Sequence, residues 1–138
     1  MDNLNSFAKK FPSASEFDKA KDDRFSYDVH QKLKRASVAI AGAGGLGSNI
    51  AVMLARSGVG HLHIVDFDIV DITNLNRQVY TVRHIGSRKV DAINEILMEI
   101  NPYVKVTTDC IRVVADNCEE IFRGYDIVCE AFDGAESK

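Results

Sequence analysis

The sequence predicts an α/β fold built on a doubly wound, mostly parallel sheet, and three observations predict it. Short apolar runs of strand length alternate along the chain with segments of helical periodicity. Links of helical length between strands are typical of right-handed crossovers in a parallel sheet. One apolar run also breaks into glycines, in the stretch AIAGAGGLGS at residues 39–48, which is typical of a turn that faces a phosphate group.

Composition indicates one ordinary globular domain. The 138 residues are 46% hydrophobic and 27% charged, and the net charge of −3 gives no sign of a general nucleic-acid or membrane surface. No apolar run approaches the ~20 residues of a membrane span, and the polar N-terminus lacks a signal peptide's apolar stretch. Cys110, Cys118 and Cys129 are odd in number and lack C-x-x-C spacing, which argues against a disulfide framework and a zinc site. We therefore expect a cytoplasmic protein with structural cysteines.

The first part of the chain predicts an arm and then a strand between two helices. Residues 1–25 show no strong periodicity and predict a mobile or loosely docked arm, which leaves residues 26–138 as the folded domain. The elements expected next are a helix from an N-cap at Ser26 to about Arg35, a strand over Ser37–Ala41 and a helix from the glycines to about Ser57.

The second part predicts three further strands. The elements expected here are a strand over His61–Asp66, a helix from about Gly86 to Ile100, a strand over Tyr103–Thr108, a short helix opened by an Asp116–Glu119 capping box and ended by Gly124, and a strand over Asp126–Ala131. Residues 67–85 show no pattern and exceed the ~12–15 residues usual for an unstructured connection, which indicates a function. His61 and His63 alternate on one strand face, which favours packing over metal binding.

Three signals converge on one edge of this sheet. Ligands of doubly wound sheets bind at the carboxyl ends of the strands. Gly42, Asp66 and Asp133 each lie at or just beyond such an end. The G-x-G-x-x-G pattern ending at Gly47 follows a strand and opens a helix, as phosphate binding requires, although a merely structural turn stays open as the alternative.

The glycines and Asp66 alone do not distinguish a nicotinamide dinucleotide from ATP. Asp66 lies 19 positions after Gly47, which suits a carboxylate that accepts hydrogen bonds from the ribose of either molecule. The loop that follows favours a triphosphate. It carries Asp68, Asp71, Arg77 and Gln78, and cationic and amide donors suit phosphate charge better than a nicotinamide. A solvated acidic loop is the alternative.

Two further features favour a polyphosphate. Arg88 and Lys89 fall in the first turn of a predicted helix, where each cation opposes the helix dipole at a cost of ~0.3–1 kcal/mol that a bound anion would reverse. Two solvated side chains are the alternative. Asp133 follows the last predicted strand, where its carboxylate could hold Mg²⁺ together with phosphate oxygens and water.

The motifs together resemble the ThiF/MoeB/HesA superfamily, the bacterial relatives of ubiquitin-activating enzymes. The match runs through GAGGLGS, DFDIVDITNLNRQ, GSRKV, INP and CEAFD over roughly residues 24–138, and EAFD is most similar to the short ThiF-type sulfur-carrier adenylyltransferases. The resemblance implies a Rossmann-like domain that binds MgATP. It also implies adenylation of the C-terminal carboxylate of a small ubiquitin-like carrier, in thiamine or related sulfur-transfer biosynthesis, by an enzyme that is commonly a homodimer.

The resemblance also assigns roles to individual residues. It gives Gly42, Gly44, Gly45 and Gly47 to the phosphate loop, Asp66 to the ribose with Asp68 nearby, Asn74, Arg77 and Lys89 to the phosphates with Gln78 beside them, and Asp133 to Mg²⁺. Arg77, Lys89 and Asp133 are the expected catalytic residues.

The sequence departs from the family pattern in two places. Many members carry R-Y-x-R-Q near the N-terminus, with a second Arg that reaches the partner's ATP site, and this chain has Tyr27 there, with Arg24 as the candidate substitute. The chain stops five residues after Asp133, before the family's further strands, so we expect a truncated form with an incomplete sheet. A tRNA-modifying dehydratase, an NAD-dependent oxidoreductase and a non-catalytic nucleotide-binding module stay open as alternatives.

Overall fold

The computed structural model of the protein describes residues 11–134. The helices are α1 Ala14–Asp22, α2 Tyr27–Arg35, α3 Gly45–Ser57, α4 Lys89–Ile100 and α5 Ala115–Phe122. The strands are β1 Ser37–Ala41, β2 His61–Val65, β3 Lys105–Asp109 and β4 Ile127–Glu130, and two 3-10 turns lie at Ile72–Asn74 and Val82–His84. Among these residues no helix has the length and apolar character needed to cross a membrane.

The four strands form one parallel sheet in the order β3-β2-β1-β4. The chain runs outward from β1 to β2 and β3 and then returns to the other side of β1 for β4. The direction of winding therefore reverses between β1 and β4, and ligands of such sheets bind in the crevice at the carboxyl ends next to that reversal. The predicted α/β fold with its parallel sheet is confirmed.

The core lies between one face of the sheet and helices α3 and α4. Ile40 and Ile64 of the strands and Leu97 of α4 are fully buried there, as a doubly wound sheet requires of its apolar strands. The opposite face carries the two histidines. His63 is stacked on Tyr125 with ring centroids 5.1 Å apart and hydrogen-bonds Thr107 at 2.7 Å, so the expectation that it packs is confirmed.

Helix α1 is an element that the sequence analysis does not predict. Its N-cap is Ser13, and its own residues include none that is buried, so its apolar periodicity is weak. Polar contacts hold it instead: the ring of His30, only 1% exposed, lies 2.6 Å from an oxygen of Asp22, and Lys21 donates to the carbonyl of Arg56. These polar contacts join α1 to α2 and to the end of α3, while none of the residues of α1 is buried. The predicted arm boundary at residue 25 stays a prediction, and residues 1–10 lie outside the described part.

Two predicted helix starts are also wrong. Helix α5 has no Asp116–Glu119 capping box, because Val114 is the N-cap and its N–H donates to the side chain of Asn117. Helix α4 begins at Lys89 rather than near Gly86, since Gly86 has φ +87° and its N–H donates to the carbonyl of Val70. These loop hydrogen bonds hold the residues before α4 out of the helix.

Candidate functional site

The glycine turn after β1 has two glycines that the chain itself requires. Gly42 has φ +103°, a conformation that favours glycine. A Cβ at Gly47 would lie 1.8 Å from the carbonyl oxygen of Gly42, whereas a Cβ at Gly44 would make ordinary contacts at 3.6 Å. A structural turn therefore explains Gly42 and Gly47 but leaves Gly44 unexplained. Gly44 opens α3 without a side-chain cap, so the first N–H groups of this helix are available to an anion.

Asp66 ties this turn to the loop that follows β2. The side chain is almost fully buried, and its two oxygens accept hydrogen bonds from the N–H groups of Ala43 and Asp68, each at 2.7 Å. Asp66 therefore has a part in the fold, because it joins the glycine turn to the loop after β2. Each carboxylate oxygen retains a second acceptor site, and ribose binding by Asp66 stays a prediction.

Replacing Asp66 with alanine is expected to lower both stability and ATP affinity. The substitution leaves the buried N–H of Ala43 without its acceptor, which typically costs about 1–3 kcal/mol. The free energy of unfolding from urea titration and the dissociation constant for ATP measure the two effects. Asp66→Asn is the matched control, since one amide oxygen can keep the bond from Ala43. An Asp66→Ala protein with unchanged stability would contradict the anchoring role.

Lys89 is a buried cation at the start of α4. The residue is only 5% exposed, its N–H donates to the carbonyl of Asp68, and its Nζ lies 3.5 Å from a carboxylate oxygen of Asp68. Arg88 differs: its side chain is 58% exposed and makes two hydrogen bonds to Asp91, at 2.7 and 3.2 Å. The alternative of a solvated cation therefore describes Arg88 and fails for Lys89. A lysine is rarely buried unless a partner or a ligand compensates its charge.

Gln78 and Asp133 flank Gly44 from two sides. The amide nitrogen of Gln78 and a carboxylate oxygen of Asp133 each lie 3.6 Å from the position of a Cβ on Gly44. Gln78 is 6% exposed, and among the described residues its amide oxygen has no hydrogen-bond partner. A buried polar atom without a partner is uncommon in folded proteins. Gln78 thus lies beside Gly44 with an amide oxygen that can accept a further hydrogen bond.

Arg77 and Asn74 come from the loop that carries the first 3-10 turn. The aliphatic part of Arg77 lies against Gly45, 3.4 Å from where a Cβ would be, and its guanidinium donates to the carbonyl of Thr73. The side chain of Asn74 accepts from the N–H of Asp71 at 2.8 Å and so shapes the loop. Arg77 therefore lies beside the glycine turn, whereas the side chain of Asn74 is hydrogen-bonded within its own loop. Phosphate contacts by both residues stay predictions.

One cleft collects six of the predicted site residues, and Gly45, Gly47, Asn74, Arg77 and Gln78 are not among the residues that line it. It is lined by Gly42, Gly44, Asp66, Phe67, Asp68, Lys89, Arg112, Ala131, Phe132, Asp133 and Gly134. Phe67 and Arg112 are absent from the sequence analysis. Arg112 lies three residues beyond β3, so the rule that ligands meet the carboxyl ends of strands could have found it. A larger cavity of about 420 Å³ beside α5 includes no residue of the glycine turn, and we assign function to the cleft for that reason.

Tyr80 is a buried residue that supports the cleft from behind. Its hydroxyl donates to the carbonyl of Ala43 at 2.6 Å. Burial, followed by the nearby charges of Asp66 and Asp68, raises the pKa of Tyr80. The phenol therefore stays a neutral donor and binds the carbonyl of Ala43, whose N–H donates to Asp66. No simple pattern in the sequence predicts this contact.

Asp133 fits a magnesium ion that is shared with phosphate. Among the described residues there is no group of three or more His, Cys, Asp or Glu side chains that could hold a metal ion. Mg²⁺ in nucleotide sites usually takes one or two carboxylates and completes its shell with phosphate oxygens and water. The exposed carboxylate of Asp133, next to Gly44, matches that donor set.

Replacing Gly44 with valine is expected to block nucleotide binding without unfolding the protein. A Cβ there meets only Gln78 and Asp133 at ordinary distances, but the two further methyl groups would occupy the space where phosphate approaches the backbone. Calorimetric titration with MgATP measures the loss, and Gly44→Ala is the control with smaller obstruction. A folded Gly44→Val protein with normal ATP affinity would reduce the loop to a structural turn.

Comparison with known proteins decides the family. The sequence profile described as the ThiF family matches residues 19–138. The chain belongs to the ThiF family. It is 44% identical over 108 residues to the adenylyltransferase and sulfurtransferase MOCS3 of Culex quinquefasciatus, covering 78% of this chain and 25% of that protein. It is 41% identical over 104 residues to the sulfur carrier protein adenylyltransferase of Thermus thermophilus, covering 75% of this chain and 38% of that protein.

A solved structure that resembles this chain contains ATP. The tRNA N6-threonylcarbamoyladenosine dehydratase TcdA of E. coli, in complex with ATP, superposes with a TM-score of 0.84 at 30% identity. The match covers 93% of this chain and 54% of that chain. The Rossmann-like ThiF fold is thus confirmed. The chain spans about half the length of the TcdA chain and less than half the length of the Culex and Thermus relatives.

Proposed function

We propose that the chain is the MgATP-binding part of an adenylyltransferase that activates the C-terminal carboxylate of a small ubiquitin-like sulfur-carrier protein. The observation that carries the proposal is Lys89, a buried cation on the wall of the cleft that begins at the glycine turn. A nicotinamide site gives no reason for that placement, whereas a triphosphate does. The Culex and Thermus relatives are both adenylyltransferases, and the Thermus relative is the adenylyltransferase of a sulfur carrier protein, which supports the carrier as substrate.

The proposed reaction needs no nucleophile from the protein. A carrier carboxylate oxygen attacks the α-phosphorus of ATP, the new O–P bond forms, and the bond to the bridging oxygen breaks, so that pyrophosphate leaves with its electron pair. Lys89 and Arg77 offset the negative charge that develops on the phosphoryl oxygens. The amides at the start of α3 hold the phosphates in line for attack. Asp133 would hold Mg²⁺, which when bound would neutralise charge on the triphosphate.

The second candidate is a dehydratase that acts on modified tRNA. The likeness to TcdA over 93% of the chain favours it, and both candidates use the same ATP cleft. They differ in the second substrate, a carrier carboxylate or a tRNA-bound one. The net charge of −3 gives no broad basic surface for tRNA, so the carrier is our first choice. The thiamine pathway and a homodimer belong to the same proposal.

Carrier-dependent exchange between ATP and labelled pyrophosphate tests the function. We expect exchange when the chain is mixed with MgATP and a carrier ending in glycine. The matched control is the same carrier without its terminal glycine, which removes the reacting carboxylate from its position and should give no exchange. Exchange that appears with modified tRNA and not with the carrier would favour the dehydratase. Binding of ATP without exchange in either case would leave a nucleotide-binding module.

A further inference from the structure

The backbone of Ala43, in the middle of the glycine turn, is held on both sides by buried side chains. Its N–H donates to a carboxylate oxygen of Asp66 at 2.7 Å, and its carbonyl accepts from the hydroxyl of Tyr80 at 2.6 Å. Ala43 is fully buried, and Tyr80 is only 4% exposed. Asp66 lines the cleft, whereas Tyr80 does not. The proposed reaction gives the hydroxyl of Tyr80 no role.

The side chain of Tyr80 is fixed in place by its surroundings. Its ring belongs to the hydrophobic core and packs edge-on against the ring of His84, with centroids 6.3 Å apart and planes at 74°. A ring nitrogen of His84 in turn accepts from the N–H of Thr81 at 2.9 Å. A phenylalanine would fill the same volume in this core, so packing explains the ring but not the hydroxyl.

The bond from Tyr80 also fixes the direction of the next N–H group. The carbonyl of Ala43 and the N–H of Gly44 belong to one peptide group, which is trans and planar, so the two point in opposite directions. Because the carbonyl is directed at the buried phenol, the N–H of Gly44 is directed away from it. Gly44 lines the cleft, and within residues 11–134 its N–H has no acceptor. A phenol bound to the carbonyl also polarises the peptide and strengthens the N–H as a donor.

We propose that Tyr80 is a positioning residue, whose hydroxyl holds the carbonyl of Ala43 so that the N–H of Gly44 donates to a phosphate oxygen of the bound nucleotide. Tyr80 itself does not touch the nucleotide. The inference rests on the proposed function for the identity of the ligand, and it adds that the donor is aimed before the ligand arrives. A donor that is already oriented needs little further ordering when the phosphate binds.

Replacing Tyr80 with phenylalanine removes only the hydroxyl. Tyr80→Phe is expected to weaken MgATP binding by roughly 3- to 10-fold, as the loss of one hydrogen bond typically does, and to leave binding of adenosine, which has no phosphate, unchanged. Tyr103→Phe is the matched control, since its exposed hydroxyl also donates to a backbone carbonyl, that of Pro12, at 2.8 Å. It should change neither affinity. Titration calorimetry for MgATP and NMR titration for adenosine measure both ligands on the folded variants.

The amide resonance of Gly44 gives a readout that a purely structural hydroxyl would not move. In the unaltered protein we expect MgATP and inorganic tripolyphosphate to shift the Gly44 amide proton downfield, and Tyr80→Phe to reduce that shift.

Three results would overturn the proposal. Unchanged MgATP affinity in Tyr80→Phe is the first, and an equal loss of MgATP and adenosine affinity, which would make Tyr80 a general support of the fold, is the second. The third is a Gly44 amide that does not respond to bound MgATP in the unaltered protein, a result that holds even if Tyr80→Phe fails to fold. Failure of the unaltered protein to bind MgATP or tripolyphosphate would instead overturn the proposed function, and the role of Tyr80 with it.

Discussion

Replacing Lys89 with alanine is expected to lower carrier-dependent pyrophosphate exchange by about 10²–10³-fold, with a much smaller rise in the dissociation constant for ATP. Lys89 is buried on the wall of the cleft, where its charge is poorly screened by water. It therefore acts most strongly where charge develops in the transition state. In the proposed reaction the glycine-turn amides and Mg²⁺ would still hold the ground-state triphosphate in the variant. Arg77→Ala is expected to behave in the same direction.

Arg88→Ala is the matched control for the Lys89 variant. Arg88 is the neighbouring cation, but it is exposed and paired with Asp91, so its removal should leave exchange unchanged. Exchange rate, ATP affinity and melting temperature should be measured on the same Lys89→Ala preparation. Normal exchange together with a raised melting temperature would show that Lys89 is only an unfavourable cation at a helix start, and the catalytic role would be lost.

Replacing Gly47 with alanine is expected to destabilise the glycine turn and abolish ATP binding. The added Cβ would lie 1.8 Å from the carbonyl oxygen of Gly42, and backbone on both sides must move to relieve that clash. Overpacking of this kind typically costs about 1–3 kcal/mol, and more where the obstacle is backbone. Urea unfolding and calorimetric titration with MgATP measure the two losses.

Gly44→Ala is the control that separates the clash from the added methyl group. Its Cβ meets nothing closer than 3.6 Å, so we expect the unfolding free energy to stay within about 1 kcal/mol of the unaltered protein, as a helix-terminal glycine change allows. A Gly47→Ala protein as stable as Gly44→Ala would show that the turn relaxes easily. The close packing of Gly42 against α3 would then have no energetic role.

The parallel sheet is predictable from the sequence because its strands are short apolar runs, whereas its helices carry apolar residues at helical spacing. The apolar run of β1 and the recurring apolar residues of α4 both face the core and therefore leave a pattern. Helix α1 leaves no such pattern, since none of its residues is buried and polar contacts around His30 hold it in place. Apolar periodicity therefore does not predict elements that pack through polar contacts.

The site is predictable where the strand ends carry polar residues. Asp66 and Asp133 both line the cleft, as expected of residues that follow the carboxyl ends of strands in one parallel sheet. The helix-dipole argument does not separate Lys89 from Arg88, because these adjacent residues differ in burial only once the helix start is fixed; the family resemblance alone singles out Lys89. Nor does either argument find Arg112, whose relevance depends on β3 lying next to β2.

Calorimetric titration of the chain with MgATP and with NAD⁺ tests the central claim, that the glycine turn and the buried Lys89 hold a triphosphate. We expect binding of MgATP and much weaker or no binding of NAD⁺, which supplies a diphosphate and a nicotinamide in place of the γ-phosphate. Lys89→Ala should reduce the preference for ATP over NAD⁺. Binding of NAD⁺ as tight as that of MgATP, unchanged by Lys89→Ala, would contradict the account.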